Sequence, residues 1–492
     1  MISIKRPYIE NENGKSRLCA EIAIAPEIYE KWKKQIGSRR EYAGYEKAYS
    51  YGKDKFQLWY EVEDRSEQIL CQERTDAFVV AVLYFAMVTG EDIEYEGVLS
   101  NELYHNLNTN LIPMHCNERS GLKPIRIIGR TESRKIESLD KNGTGVSRGV
   151  DSFDTIFTYL AENMDAEHRL NCLTVFNVGS YNNMPDLRAR KTGMMTLDEY
   201  NEKAENFFSH DVEKGRQIAK ELGTDFIAVN SNINSLYQGV FLELHGYSNS
   251  SAVLAVQKLF SHYYYSSAGE PEKARWGVEE DASDNVQFFS TESLQFYLAR
   301  ENVTRIEKIQ HISQHETGRK RLHVCCDETE NCGKCGKCFR TLLILELIGK
   351  QPEFKESFKD TSAYEKKGWK KYVWILDKKD QDFFAKDIYE YQKSKSENDE
   401  RGLLSEAIFW AIVKIYKILK NAGRVVGYSC AIVQMTGNGN PCAYLTDQII
   451  QGLINSQQAK YEVSQYIYKD SACPYPINSL QCSQPPYAYI SF

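Results

Sequence analysis

At 492 residues and 56.7 kDa, the chain is too long for one ordinary hydrophobic core, so two to three domains are expected. Apolar residues at 42% and charged residues at 26% exclude a disordered or fibrous chain and fit a soluble globular one. The net charge of −7 argues against broad electrostatic binding to nucleic acid, although a local basic patch would not show in that sum. The best apolar runs, residues 77–88 and 407–419, are shorter than the ~20 residues of a membrane span, and the second carries Lys414 and Lys417. The opening MISIKRP lacks the apolar stretch of a signal peptide. Five of the thirteen cysteines fall in residues 325–338, which reads as one metal site in a reducing compartment and not as a secreted disulfide scaffold. A cytoplasmic location is expected.

In residues 1–140 the β-branched and aromatic bias of 55–62 (KFQLWYEV), 93–97 and 123–130 predicts strands, and 75–88 predicts a buried helix stopped by Gly90. This block carries no catalytic signature and is expected to be an accessory α/β domain. From 141 the rhythm becomes strand, turn, helix. A Gly-rich strand at 143–146 runs into SRGVDS, after which Phe153, Ile156, Phe157 and Leu160 share one helical face. Strands follow at 172–178 and 225–230, separated by an amphipathic helix at 204–222 that Gly223 closes. A helix is expected at 251–260, strand residues at 262–265, and a further strand at 286–289. This alternation implies a parallel, doubly wound sheet with helices on both faces and ligands beyond the carboxyl ends of its strands. The second domain is expected to span 141–350 and to end with a short apolar helix at 341–348. A mostly helical region is expected at 351–469, with an apolar stripe from Leu404 to Leu419, and a Pro/Tyr-rich tail at 470–492.

The sharpest local signal is the hexamer Ser147, Arg148, Gly149, Val150, Asp151, Ser152 between a strand and a helix. Such a turn presents backbone N–H groups at a helix N-terminus, where the dipole and the unpaired donors together hold an anion. Ser147 and Ser152 supply hydroxyls, Gly149 permits close approach, and Arg148 could pair with a phosphate. Asp151 could orient the loop or help hold Mg²⁺ on a polyphosphate. The second signal is Cys332-Gly-Lys-Cys335-Gly-Lys-Cys338, with Cys325 seven residues upstream. Four thiolates in tight turns suit tetrahedral Zn²⁺, and a [4Fe–4S] cluster accepts the same ligand number. Cys326 competes with Cys325 for the fourth position.

The hexamer resembles the SGGxDS signature of the PP-loop ATP pyrophosphatases. The cysteine run, followed after one residue by Arg340, resembles that of the 7-cyano-7-deazaguanine synthases within that family. The likeness covers about residues 141–349, and Arg148 departs from it where glycine is usual. It implies a PP-loop domain that cleaves ATP between its α and β phosphates and passes AMP to a substrate oxygen. It also implies a structural zinc held by Cys325, Cys332, Cys335 and Cys338. Relatives of this enlarged kind occur in anti-phage operons, which implies deazaguanine-type chemistry redirected to a partner protein from the same operon or to a nucleic acid. The nucleotide site so expected comprises residues 147–152 and Asn177, which ends a strand where the family places adenine-contacting backbone. Asp151, Ser152, Arg305 and Lys308 form the expected catalytic set; ATP, Mg²⁺ and Zn²⁺ are the expected cofactors. The expected substrate is a carboxylate-bearing deazapurine-like acid.

Other candidates have plainer readings. Ser231 and Asn232 end a strand, and His245 precedes a helix and could line a cleft, though a lone histidine is more often a satisfied surface or core group. Tyr263, Tyr264 and Tyr265 read as strand residues. Residue 2 is Ile, so no cysteine follows Met1 as an N-terminal amidotransferase nucleophile requires, and nitrogen would arrive as ammonia or as an amine of the acceptor. The competing readings are a tRNA sulfurtransferase with an iron–sulfur cluster and a nucleotide-binding defence protein without turnover.

Overall fold

The computed structural model describes residues 1–37, 55–118, 121–183, 196–237, 244–267, 282–325, 328–368 and 370–397. KFQLWYEV builds β4 (Lys55–Glu63), which pairs antiparallel along its whole length with β3 (Lys15–Ala23). This hairpin-like pair lies between two parallel blocks. On one side β3 meets β1 (Ile2–Ile4), followed by β5 (Ile93–Ser100) and β6 (Ile127–Glu132); β2 (Tyr8–Glu12) is a branch on β3. On the other side β4 meets β9 (Asp225–Ser231), followed by β8 (Cys172–Asn177), β7 (Lys141–Gly145), β10 (Phe260–Ser266) and β11 (Gln295–Ala299). The result is one mixed, mostly parallel sheet of eleven strands in an α/β fold.

The order of the second block positions the site. The chain runs β7, β8, β9 outward in one direction, then returns to lay β10 and β11 on the opposite flank of β7. The direction of winding therefore reverses between β7 and β10, and the carboxyl ends of strands at such a reversal form a crevice. β7 itself, KNGTG, has little apolar character because its neighbours supply the packing. A Cβ on Gly143 would lie 2.4 Å from the Phe260 ring.

Helix Asp76–Thr89 is apolar all round and buried along its whole length, and it stops at Gly90 in the left-handed conformation. It packs on helix His245–Ala255, so an element of the first block is covered by one from the second. Contacts group Met1–Gly368 with Lys378–Glu397 as one compact unit, and the boundary expected near residue 140 falls inside it. The second unit comprises Trp369–Asp377 and Asn398–Phe492, and only residues 370–377 of it are described. The apolar stripe at 404–419 and the tail at 470–492 lie outside the described residues.

Two elements differ from expectation. The helix expected at 251–260 runs from His245 to Ala255, and Phe260 already belongs to β10. Its early turns carry the small buried serines Ser248, Ser250 and Ser251, the last donating to the Ser248 carbonyl at 2.8 Å, so apolar periodicity hides its start. The strand expected at 286–289 is part of a 3₁₀ segment, Ala282–Phe289. Val286 and Phe289 are buried at the spacing of a helical turn, and the strand comes later, as β11. Among the described residues no helix is long and apolar enough to cross a membrane.

Candidate functional site

The hexamer 147–152 lies at the carboxyl end of β7, beside the winding reversal. Val146 N–H bonds the Thr174 carbonyl at 2.8 Å, closing the strand, and helix Val150–Leu160 begins four residues later. Gly149 is its N-cap and no side chain caps it, whereas the first N–H groups of any helix lack intrahelical partners. Ser147 Oγ accepts from Gly149 N–H at 3.3 Å and donates to Ser152 Oγ at 3.2 Å, and Ser152 Oγ donates to the Gly149 carbonyl at 3.2 Å. The two serines thus brace the turn from within. Val150 is buried at the start of the helix.

Asp151, Arg305 and Lys308 are brought together. Helix Arg305–Ser313, started by a Thr304–Glu307 capping box, places the Lys308 ammonium 3.0 Å from Asp151 Oδ1 and the Arg305 guanidinium 3.1 Å from Oδ2. Lys308 is buried and also donates to the Ser267 carbonyl at 2.7 Å, just past β10. It therefore ties the carboxyl end of β10 to the helix that follows β7. Arg305 also lies over the Phe384 ring, as does Arg340.

One turn along the same two helices is a second rung that the sequence reading missed. Asp154 is fully buried, 2.7 Å from His311 Nδ1 and 2.8 Å from Arg300 Nε. Burial pushes the Asp154 carboxyl up, but the His311 and Arg300 hydrogen bonds outweigh it and hold it below the usual carboxylate range. The signal was present in the spacing: Asp154 is three residues after Asp151, and His311 three after Lys308.

Arg148 combines a left-handed backbone with an ion-paired side chain. Its φ is +61°, a left-handed conformation that costs a residue with a Cβ about 1–2 kcal/mol. Gly149, by contrast, has an ordinary negative φ of −73°. The Arg148 side chain is buried, with its guanidinium 2.6 Å from Asp211 Oδ1 on helix Leu197–Leu222. Tyr181 Oη donates to Asp211 Oδ2 at 3.1 Å. Burial, and then the Asp211 charge, push the Tyr181 phenol well up, so it remains a donor. The Arg148 carbonyl accepts from His323 N–H at 2.9 Å.

The remaining candidates are used structurally. Asn177 Nδ2 donates to Asn230 Oδ1 at 2.8 Å across the ends of β8 and β9. Ser231 Oγ donates to the Trp59 carbonyl at 2.8 Å, and Asn232 bridges Trp59 N–H and the Gln57 carbonyl. Both stitch β9 to β4. His245 Nδ1 lies 3.0 Å from Tyr265 Oη. Tyr263 and Tyr264 are buried in the sheet, with Tyr264 stacked on Tyr159.

Two residues beyond His323 the chain enters the cysteine cluster. The sulfurs of Cys325, Cys332, Cys335 and Cys338 all lie within 4.8 Å of one another, with two of the separations 3.9 Å. A tetrahedral ion with Zn–S bonds of ~2.3 Å sets its sulfurs ~3.8 Å apart, so the cluster fits one metal ion such as zinc. A four-iron cluster puts each thiolate on a different iron and spreads them farther. Cys326 lies outside the described residues. Gly333 turns the loop with φ +67°, and a Cβ there would lie 2.3 Å from the Asp360 carbonyl oxygen. Cys335 N–H points at Cys332 Sγ at 3.3 Å, and Cys338 N–H at Cys335 Sγ at 3.5 Å. Asn331, also missed from sequence, clasps the loop: its Oδ1 accepts from Val324 and Cys325 N–H, and its Nδ2 donates to the Leu322 and Ser357 carbonyls. Hydrogen bonds among the thiols, then burial, push Cys338 far up in the absence of a cation, and a bound divalent ion reverses that balance.

The arrangement supplies a helix N-terminus without a side-chain cap, a carboxylate flanked by two cations, and a metal-fitting knuckle joined to the same loop through His323. Compared with known proteins, the chain matches no family model, no curated protein and no solved structure.

Proposed function

We propose that the chain is an ATP-dependent enzyme of the PP-loop kind. It binds Mg²⁺–ATP at residues 147–152, transfers AMP to a carboxylate and releases pyrophosphate. The observation that carries this reading is the place of the loop: an uncapped helix N-terminus at the winding reversal of a parallel sheet, with Asp151 held between Arg305 and Lys308. In this scheme the loop N–H groups and the Ser147 and Ser152 hydroxyls grip the β and γ phosphates. Asp151 helps hold the Mg²⁺, and Lys308 and Arg305 offset charge developing as the α–β bridging bond breaks. A carboxylate oxygen attacks the α phosphorus and pyrophosphate leaves. A nitrogen nucleophile then opens the acyl-adenylate, releasing AMP and giving an amide. A second ATP that activates the amide oxygen in the same way carries it off as AMP to leave the nitrile. A 7-deazapurine acid is the favoured acceptor and a partner protein the favoured final recipient. Zinc in the four-cysteine knuckle is structural.

The test is product analysis by thin-layer chromatography with the full-length protein, Mg²⁺–ATP and either 7-carboxy-7-deazaguanine or acetate. AMP and pyrophosphate formed preferentially with the deazaguanine acid are the expected result. ADP as the main product overturns the scheme, and AMP without acceptor preference keeps the reaction and discards the substrate.

A further inference from the structure

Arg148 occupies a backbone conformation that favours glycine, at the one turn where the direction of the loop matters. Its side chain lies only 6% exposed against Asp211, which is 15% exposed and is fixed from behind by the Tyr181 hydroxyl. The same residue's carbonyl is held by His323 N–H. The long helix Leu197–Leu222 and the segment entering the cysteine knuckle therefore both converge on a single residue in an unfavourable conformation.

We propose that the Arg148–Asp211 ion pair is the positioning device of the loop: it holds residue 148 left-handed and so aims the turn and the helix end behind it, and Arg148 is not itself a phosphate ligand. The inference rests on reading the loop as a nucleotide site. A buried guanidinium deprived of its carboxylate is an uncompensated charge and must move toward water. Moving it releases the backbone to a negative φ and changes the direction of the N–H groups that follow. Glycine needs no such partner, because it adopts positive φ without steric cost.

This makes an unusual demand of a double variant. In the full-length, metal-loaded protein, Asp211→Asn is expected to speed amide hydrogen exchange in the peptide covering residues 147–152, without nucleotide, by about tenfold or more. It is expected to weaken Mg²⁺–ATP binding, measured by calorimetry, by a similar factor. Adding Arg148→Gly to that chain should bring both back to within about threefold of wild type. If Arg148 grips phosphate, the added substitution instead weakens binding further, which overturns the proposal. Unchanged exchange in Asp211→Asn overturns it too. Should Asp211→Asn fail to fold, Tyr181→Phe keeps both charges and is expected to speed exchange by roughly two- to threefold; no change there is equally fatal. A wild-type chain that does not bind Mg²⁺–ATP removes the functional reading, while the exchange data still decide whether the pair sets the loop.

Discussion

The turn at 147–152 and the knuckle at 325–338 both lead into a helix, yet they use the helix start in opposite ways. In the knuckle Cys335 is the N-cap of helix Gly336–Leu347 and its sulfur accepts from Cys338 N–H, so a first-turn donor is consumed within the motif. The loop leaves helix Val150–Leu160 without a side-chain cap, whereas helices Leu197–Leu222 and Arg305–Ser313 are closed by capping boxes at Thr196 and Thr304. A helix start whose donors are satisfied internally contributes stability; one left open is available for an anion. The knuckle should therefore govern folding and the loop should govern turnover.

The strongest way to break that division is Cys335→Ser. The expected result is loss of the metal, shown by elemental analysis, together with loss of soluble, cooperatively folded protein, because a structural site contributes directly to folding free energy. A soluble variant with unchanged melting, or iron in place of zinc in the wild type, would sink the assignment. Next comes Asp151. Asp151→Asn keeps an acceptor for Lys308 and should lower pyrophosphate release by about a hundredfold or more with little change in melting temperature. Asp151→Ala leaves the buried Lys308 ammonium without its counter-ion, so it should also lose about 3 kcal/mol of stability. Equal turnover in wild type and Asp151→Asn would show that the loop is not catalytic.

The Asp154 rung sharpens the comparison through pH. Its carboxyl is held below the ordinary range in the folded state, so the pairing contributes fully above the unfolded value near pH 4 and is lost as pH falls through the lowered folded value. Urea unfolding should find Asp154→Asn about 2 kcal/mol less stable than wild type at pH 7. That gap should hold to about pH 5 and shrink by about pH 3; a gap that persists unshrunk below pH 3 contradicts the ion pair. The smallest effect is expected for Thr304→Ala, about 1 kcal/mol from the lost cap, with nucleotide affinity unaltered.

Much of the chemistry-bearing half was readable because its signals are local. The strand–turn–helix around residues 147–152, the helix stop at Gly223 and the spacing of the cysteines each need only a few neighbouring residues. Arg305 and Lys308 stand three apart on one helix face, and the structure brings both to Asp151. What was not readable depends on partners distant in sequence. The sequence places Arg148 in the loop but not Asp211 beside it, and Asn177 at a strand end but not Asn230 across from it. The strand β7 is poor in apolar residues because Phe260 covers Gly143, a fact that no window around β7 contains. The same holds for residues 1–140, which look separate in sequence and share a sheet with the rest because β4 pairs with β9.

That last pairing has a consequence for how the protein is made. Tyr60 faces Ser231 and Glu61 faces Asn230 across the only ladder that joins the two blocks among the described strands. At ~5–20 residues per second, roughly 10–30 seconds of synthesis separate the two strands. Throughout that interval the β4 edge lacks its β9 partner, and an unpaired edge is the kind of surface that recruits other chains. The β3–β4 ribbon carries Lys15, Arg17, Glu61 and Glu63, and Lys15 and Arg17 pair with Glu61. These charges sit where a gatekeeper against premature edge pairing would be placed.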